Sequence, residues 1–326
     1  MTHYIYTILS MLLLLGCSNA GQQSSQQSGT EQQAKVVPAF AGDSAYAAIE
    51  RQLAFGPRVP GSEAHQACAQ WLEAELRRYG ADVRVMRSTV TAYDGTRLPC
   101  INMIASFNVQ SSNRVLLMAH WDSRHISDAD PDPSKRKQPV PAANDGASGV
   151  GVLLEIARQA GLKSPRMGID IFLTDVEDYG APDDWTGSHD DKQWALGTQQ
   201  WCRQPHVAGY RANYGILLDM VGAPDATFYR EYYSDQYASD VVSMVWQTAA
   251  RMGHKQLFID QSGAGITDDH VFVNQLLRIP TIDIIDTRTA GPGTFYPHWH
   301  TTDDTLDKIS VSTLQSVGDV LMQLLY

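Results

Sequence analysis

Apolar positions along the chain change period several times, and each change predicts an element. Between Ser62 and Tyr79, residues Ala67, Trp71, Leu72, Glu75 and Leu76 follow helical spacing. This predicts a helix capped by Ser62 and stopped at Gly80. Asp43-Ser44 similarly predicts the start of a shorter helix running to Leu53. Segments 83–90 and 100–107 have strand character, and Val115-Leu116-Leu117-Met118-Ala119 is a continuous apolar run, as expected of a strand covered on both faces. Further buried-type strands are predicted at 168–173, 214–218 and 281–285, with helices at 149–159, 237–252, 271–277 and 310–325. Helices alternating with wholly apolar strands predict an α/β fold, a three-layer α/β/α sandwich around a twisted, mostly parallel sheet. No repeat or linker interrupts residues 36–326, which read as one domain.

The first 35 residues follow a different pattern. Residues 5–16 form an apolar run too short for a hydrocarbon core of ~30 Å but of the size of a signal-peptide core, although no Lys or Arg precedes it. Leu14-Leu15-Gly16-Cys17 resembles the bacterial lipoprotein signal, in which the Cys becomes the lipidated first residue of the mature chain. Residues 18–35, rich in Gln, Ser and Gly, bury too little apolar surface to offset ordering entropy and read as a flexible tether. The expected organisation is a signal peptide over 1–16, a tether over 17–35 and a folded domain over 36–326. The expected location is exported, periplasmic or cell-surface, held to a bacterial membrane only through a lipid on Cys17.

Composition narrows the classes. With 25 Lys plus Arg against 36 Asp plus Glu, the 326-residue chain has a net charge of -11, which argues against nucleic acid as a partner. At 43% hydrophobic and 19% charged residues it lies in the globular range, excluding a chain disordered, collagenous or coiled-coil throughout. The four cysteines (Cys17, Cys68, Cys100, Cys202) contain no C-x-x-C pair, so a bound metal would need His and carboxylate ligands. Acylation of Cys17 would leave three cysteines, and no obligatory disulfide is expected.

Candidate chemistry sits directly after the apolar runs, where open α/β sheets bind ligands. His120-Trp121-Asp122 follows the strand at 115–119, and Asn144-Asp145-Gly146 opens a helix after a Pro-rich loop. Asp175-Val176-Glu177-Asp178 follows 168–173, and Asp219 follows 214–218. Late in the chain, Trp299-His300 precedes Thr301-Thr302-Asp303-Asp304. One acid at a strand end is unremarkable as a helix cap or turn residue, whereas five such places are hard to assign to chance. Nine acids (Asp122, Asp145, Asp175, Glu177, Asp178, Asp219, Asp268, Asp269 and Asp283) lie in motifs of this kind, so most of the negative balance belongs to a site and little to a uniformly acidic surface.

From about Ala45 to Tyr326 this series resembles the zinc-dependent M28-type peptidases, and within them the glutaminyl-peptide cyclotransferases. The features that favour this branch are Leu218-Asp219-Met220-Val221-Gly222-Ala223-Pro224, Thr267-Asp268-Asp269-His270, Trp185 after the acidic pair, and Trp299 beside His300. The resemblance implies one zinc ion on Asp145, Asp178 and His300, with Glu177 as general base in a hydrogen-bonded acid network with Asp219 and Asp268. It also implies that Trp185 and Trp299 wall the substrate and that His120, Asp122 and His270 flank the metal or serve as alternative ligands. Its substrates would be peptide or protein N-termini whose Gln closes to pyroglutamate with loss of ammonia. Two departures stand out: Asp178 replaces a more usual Glu, and Asp283 falls where animal cyclases carry His and has no assigned role. The rival is a two-zinc aminopeptidase, because His120 and Asp219 are the extra ligands such enzymes use. Nothing in the sequence fixes the oligomeric state, with a monomer the favoured expectation.

Overall fold

The computed structural model describes residues 36–291 and 294–326. Cys17, the apolar leader and the tether lie outside the described residues, and no described helix is long and apolar enough to cross a membrane.

Two helices, α1 (Gly42–Leu53) and α2 (Glu63–Arg78), precede strands β1 (Asp82–Thr91), β2 (Arg97–Phe107) and β3 (Arg114–His120). Helix α3 (Ala147–Leu162), β4 (Gly168–Thr174), α4 (Leu196–Arg203), β5 (Tyr214–Asp219) and β6 (Phe228–Arg230) follow. The chain ends with α5 (Tyr232–Arg251), β7 (Phe258–Ser262), α6 (Asp269–Phe272), β8 (Thr281–Ile285) and α7 (Val311–Leu325). Six strands form one sheet in the order β1-β2-β4-β3-β5-β8. The last four are parallel, while β2 runs antiparallel to both neighbours.

The apolar run of β3 explains the three layers. Successive strand side chains point to opposite faces, so Val115, Leu117 and Ala119 join one core with residues of α1, α2, α3, α5 and α7. Leu116 and Met118 face a second, smaller core with Trp201 and Cys202 of α4 and Val273 after α6. Cys68, Cys100 and Cys202 are buried free thiols. Burial pushes the Cys68 thiol up to about 12, so it packs as a small hydrophobe.

Ser62 caps α2, its hydroxyl accepting from the His65 amide at 3.1 Å. The first helix begins differently from the Asp43-Ser44 expectation. Its starting amides, Ala41 and Gly42, are taken by Glu155 Oε1 and Gln315 Oε1 of other helices, so distant side chains replace the local cap. Helix α5 starts five residues before the predicted Tyr237 because Glu231 accepts from the amides of Tyr233 and Ser234. The β6–β7 pair went unread in the sequence, being a three- and a five-residue strand with an exposed end.

Candidate active site and metal centre

The strand ends converge as the sequence pattern requires. In register, His120 at the end of β3 lies beside Thr174 at the end of β4, and Asp219 at the end of β5 lies beside Ile285 of β8. The segments that continue from these ends carry the chemistry. Val176 (φ 53°), Met220 (φ 51°) and His300 (φ 54°) in them have a left-handed backbone. Such a backbone is costly for a β-branched Val, and its position just before Glu177 marks a turn held by its surroundings. Asp122 does part of that holding, accepting from the amides of Glu177 (3.1 Å) and Asp178 (3.3 Å).

Asp145 sits at the entry to α3 with His120 on one side and His300 on the other. Its Oδ1 lies 3.0 Å from His120 Nε2, and its Oδ2 lies 3.7 Å from His300 Nε2. The approach is so close that a Cβ on Gly146 would stand 2.4 Å from the His120 ring, so only glycine fits there. The amides of Asn144 and Asp145 are anchored by the buried Asp304 carboxylate.

Two sets of donor atoms meet at Asp145. In the first, Asp145, Asp178 and His300 bring ligand atoms within 4.8 Å of one another, all buried. His300 Nε2 is 3.1 Å from Asp178 Oδ1, and Asp178 Oδ2 has no hydrogen-bond partner. His300 Nδ1 points to Asp128 Oδ1 at 3.2 Å, and Arg124 grips both Asp128 oxygens at 2.7 and 2.6 Å. A carboxylate behind the imidazole fixes the tautomer that presents Nε2 to a metal. Three N and O donors suit zinc at a site with an open position. The second set is His120, Asp145 and Asp219, in which His120 Nε2 lies 3.0 Å from Asp145 Oδ1 and 3.4 Å from Asp219 Oδ1.

Electrostatics separate the roles. Asp145 is held below the usual carboxylate range: burial opposes this, but its bond to His120 and the charges of His120 and His300 outweigh burial. Glu177 goes the other way, raised well above the usual range by burial and then by the charge of Asp268. Burial, with Asp145 and Asp268 nearby, raises Asp219 to about 7. Asp268, at the N-cap of α6, is also raised, chiefly by burial. These carboxylates share one cavity of about 340 Å³. Among the described residues no side-chain hydrogen bond joins Glu177 to Asp219 or Asp268, so their mutual influence runs through charge. Buried carboxylates this close do not all ionise together.

The remaining expected residues fall as follows. Trp299 lines the cavity and stacks on His300 with ring centroids 3.6 Å apart. Trp185 does not line it; its ring packs edge-on against Tyr93 at 4.9 Å in the outer loop. Trp194, unassigned from sequence, takes the wall position instead, under the Arg124 guanidinium. His270 is buried with Nε2 3.0 Å from Glu231 and Nδ1 3.9 Å from Asp283, and with Asp268 and Asp283 it forms a third buried group whose possible ligand atoms lie within 4.8 Å of one another. Asp283 is buried with both oxygens unpartnered, and burial followed by the charges of Asp268 and Asp219 raises it well above its usual range. Trp194→Ala is expected to raise KM for the substrate held in this cavity roughly fivefold to tenfold, matching about 1 to 1.4 kcal/mol of lost apolar contact, while Trp185→Ala leaves it within twofold. Steady-state kinetics on both variants would check this.

A buried carboxylate and imidazole centre at the carboxyl ends of parallel strands defines a metal-dependent enzyme of the zinc exopeptidase type. The chain belongs to peptidase family M28, whose model matches residues 102–325. It is similar over 89% of its length to solved structures that it covers almost completely. Tannerella forsythia glutaminyl cyclase is 48% identical (99% of that chain, TM-score 0.86). Bacteroides thetaiotaomicron glutaminyl cyclase bound to N-acetylhistamine is 46% identical (99% of that chain, TM-score 0.87). A protein described as a leucine aminopeptidase precursor from Bacteroides thetaiotaomicron is also 46% identical (98% of that chain, TM-score 0.86).

Proposed function

We infer that this protein is a zinc-dependent glutaminyl-peptide cyclotransferase, closing the N-terminal Gln of peptides and proteins to pyroglutamate with release of ammonia. The observation that carries the reading is Glu177, buried beside the Asp145–Asp178–His300 centre, taking no part in any of the three possible metal-ligating groups among the described residues, and poised by burial for proton transfer. Likeness to glutaminyl cyclases at 46 and 48% identity supports it.

Asp145, Asp178 and His300 would hold one zinc ion, and when bound it supplies Lewis-acid polarisation of the substrate's γ-carbonyl. The substrate's neutral α-amine attacks the γ-carbon while Glu177 accepts the proton that this nitrogen sheds. The same carboxyl then returns the proton to the departing nitrogen, which leaves as ammonia, and the base is regenerated. Attack is intramolecular, so holding the side chain folded back is the larger contribution: effective molarities reach about 10⁵–10⁸ M, against ~10²–10⁴ for a placed base. Trp194 and Trp299 provide the apolar walls for that fold.

A second reading, a two-zinc aminopeptidase, draws on the His120–Asp145–Asp219 group. The products separate the two: ammonia and a pyroglutamyl peptide from the cyclase, a free amino acid and a shortened peptide from the aminopeptidase.

The charge states predict how zinc and pH act together. For a buried carboxyl whose folded pKa is raised, the native state binds the proton more tightly than the unfolded chain, so stability falls as pH rises. Burial, the leading cause in each case, places Asp175 at about 6 and both Asp219 and Asp304 at about 7. His300 is raised too, its carboxylate neighbours outweighing burial and Arg124, and its contribution has the same sign. Zinc binds the deprotonated ligands. Metal-free protein should therefore lose Tm between pH 5.5 and 7.5, and the rise in Tm on adding zinc should be larger at pH 7.5. Equal zinc shifts at both pH values would contradict this assignment.

Export and anchoring follow the same proposal. Cys17 would carry the lipid, and the 18–35 segment would hold the catalytic domain away from a bacterial membrane as a monomer acting on exported N-termini. Cys17→Ser should move the protein from the membrane to the soluble fraction with kcat unchanged; an unmoved variant would remove the anchor.

A further inference from the structure

A second cavity, of about 510 Å³, opens beside the catalytic one and shares Trp194, Trp299 and His300 with it. Its walls carry charges of both signs. The segment from Arg124 to Pro141 contributes Arg136 and Lys137, and the loop after Gly180 contributes Asp183 and Asp184. Arg124 also lines it, but its charge is taken up by Asp128 and the Asp178 and Gly180 carbonyls. Among the described residues Arg136 bonds a carbonyl, that of Asp130 at 2.8 Å. Among the described residues, none of Arg136, Lys137, Asp183 and Asp184 belongs to an ion pair, although all four line one space. Opposite charges kept apart across a cavity remain available to a ligand that brings charges of its own.

The position says what that ligand is. With the N-terminal Gln beside Glu177, the peptide bond that follows must leave the catalytic cavity, and the shared wall of Trp194 and Trp299 leads into the second. The catalytic cavity is lined by carboxylates and disfavours an acidic side chain. The second offers the unpaired cations. We propose that the second cavity holds the two residues downstream of the substrate Gln, with Arg136 and Lys137 favouring acidic side chains there and Asp183 and Asp184 favouring basic ones. This specificity rests on the cyclase reading above.

The test is a charge exchange on each wall. Ammonia release would be measured at low ionic strength from Gln-Glu-Glu-Ala-amide, Gln-Ala-Ala-Ala-amide and Gln-Lys-Lys-Ala-amide, with glutaminamide as a substrate too short to reach the cavity. Arg136→Glu with Lys137→Glu should lower kcat/KM for the Glu peptide roughly three- to tenfold, the range of one or two exposed ion pairs. It should raise kcat/KM for the Lys peptide. Asp183→Lys with Asp184→Lys should do the reverse, glutaminamide should be unaffected by either, and high salt should flatten the differences. Identical peptide preferences in all three proteins, or an equal loss that includes glutaminamide, would overturn the subsite. Absence of ammonia from every substrate, wild type included, would instead overturn the cyclase reading itself.

Discussion

Glu177→Gln protein is expected to bind zinc as tightly as wild type while releasing ammonia from Gln peptides about 10²- to 10⁴-fold more slowly, the usual worth of a placed general base. The exchange keeps the side chain's size, and the backbone bonds from Glu177 and Asp178 to Asp122 do not involve the altered group. It removes a carboxyl whose burial and proximity to Asp268 already disfavour its charge. Metal-free Glu177→Gln protein should consequently be at least as stable as wild type at pH 7.5, the opposite of what a structural carboxylate would show. Zinc analysis, thermal melting and turnover on one preparation would check all three. Turnover within threefold of wild type would sink Glu177 as the base.

The second large effect is at His300. Removing its imidazole leaves Asp145 and Asp178 facing each other as two carboxylates without the neutral donor between them. His300→Ala should lose zinc during dialysis and fall to background activity, and added zinc should restore little. Asp128→Asn tests the same centre less severely. Asp128 is held well below the usual range, against its burial, by bonds to His300 and Arg124, and an amide there can still bond the imidazole but no longer supplies the charge. Losing a partner of this kind typically weakens metal binding about 10- to 100-fold. Full zinc occupancy in His300→Ala under competing chelator would refute the ligand assignment.

The sheet and the central site were readable in the sequence for one reason. A strand covered on both faces is a short apolar run, so its end is visible, and His120, Glu177, Asp178 and Asp219 follow directly on those ends. Asp145 was legible through the Asn-Asp-Gly turn opening α3. Residues that reach the site from irregular segments were not. Arg124 and Asp128 lie in a loop with no periodicity, and their role depends on how that loop folds behind His300. Asp304 stood in the quoted motif, yet its capture of the Asn144 and Asp145 amides spans 160 residues. Trp185 and Trp194 lie nine residues apart in one loop, and only the fold shows that the second turns inward. The acid network expected from family resemblance is present as a cluster of raised carboxyls around one cavity, without direct bonds from Glu177 to its neighbours.

The central claim is that this centre cyclises Gln and does not hydrolyse peptide bonds. The most direct measurement is to incubate zinc-loaded protein with a Gln-initiated peptide and follow ammonia and free amino acids together, with and without chelator. The account predicts one ammonia per peptide consumed, a pyroglutamyl product, no free Gln, and loss of turnover in chelator that zinc reverses. Free Gln with a shortened peptide, and without ammonia, would contradict it and identify a two-zinc aminopeptidase.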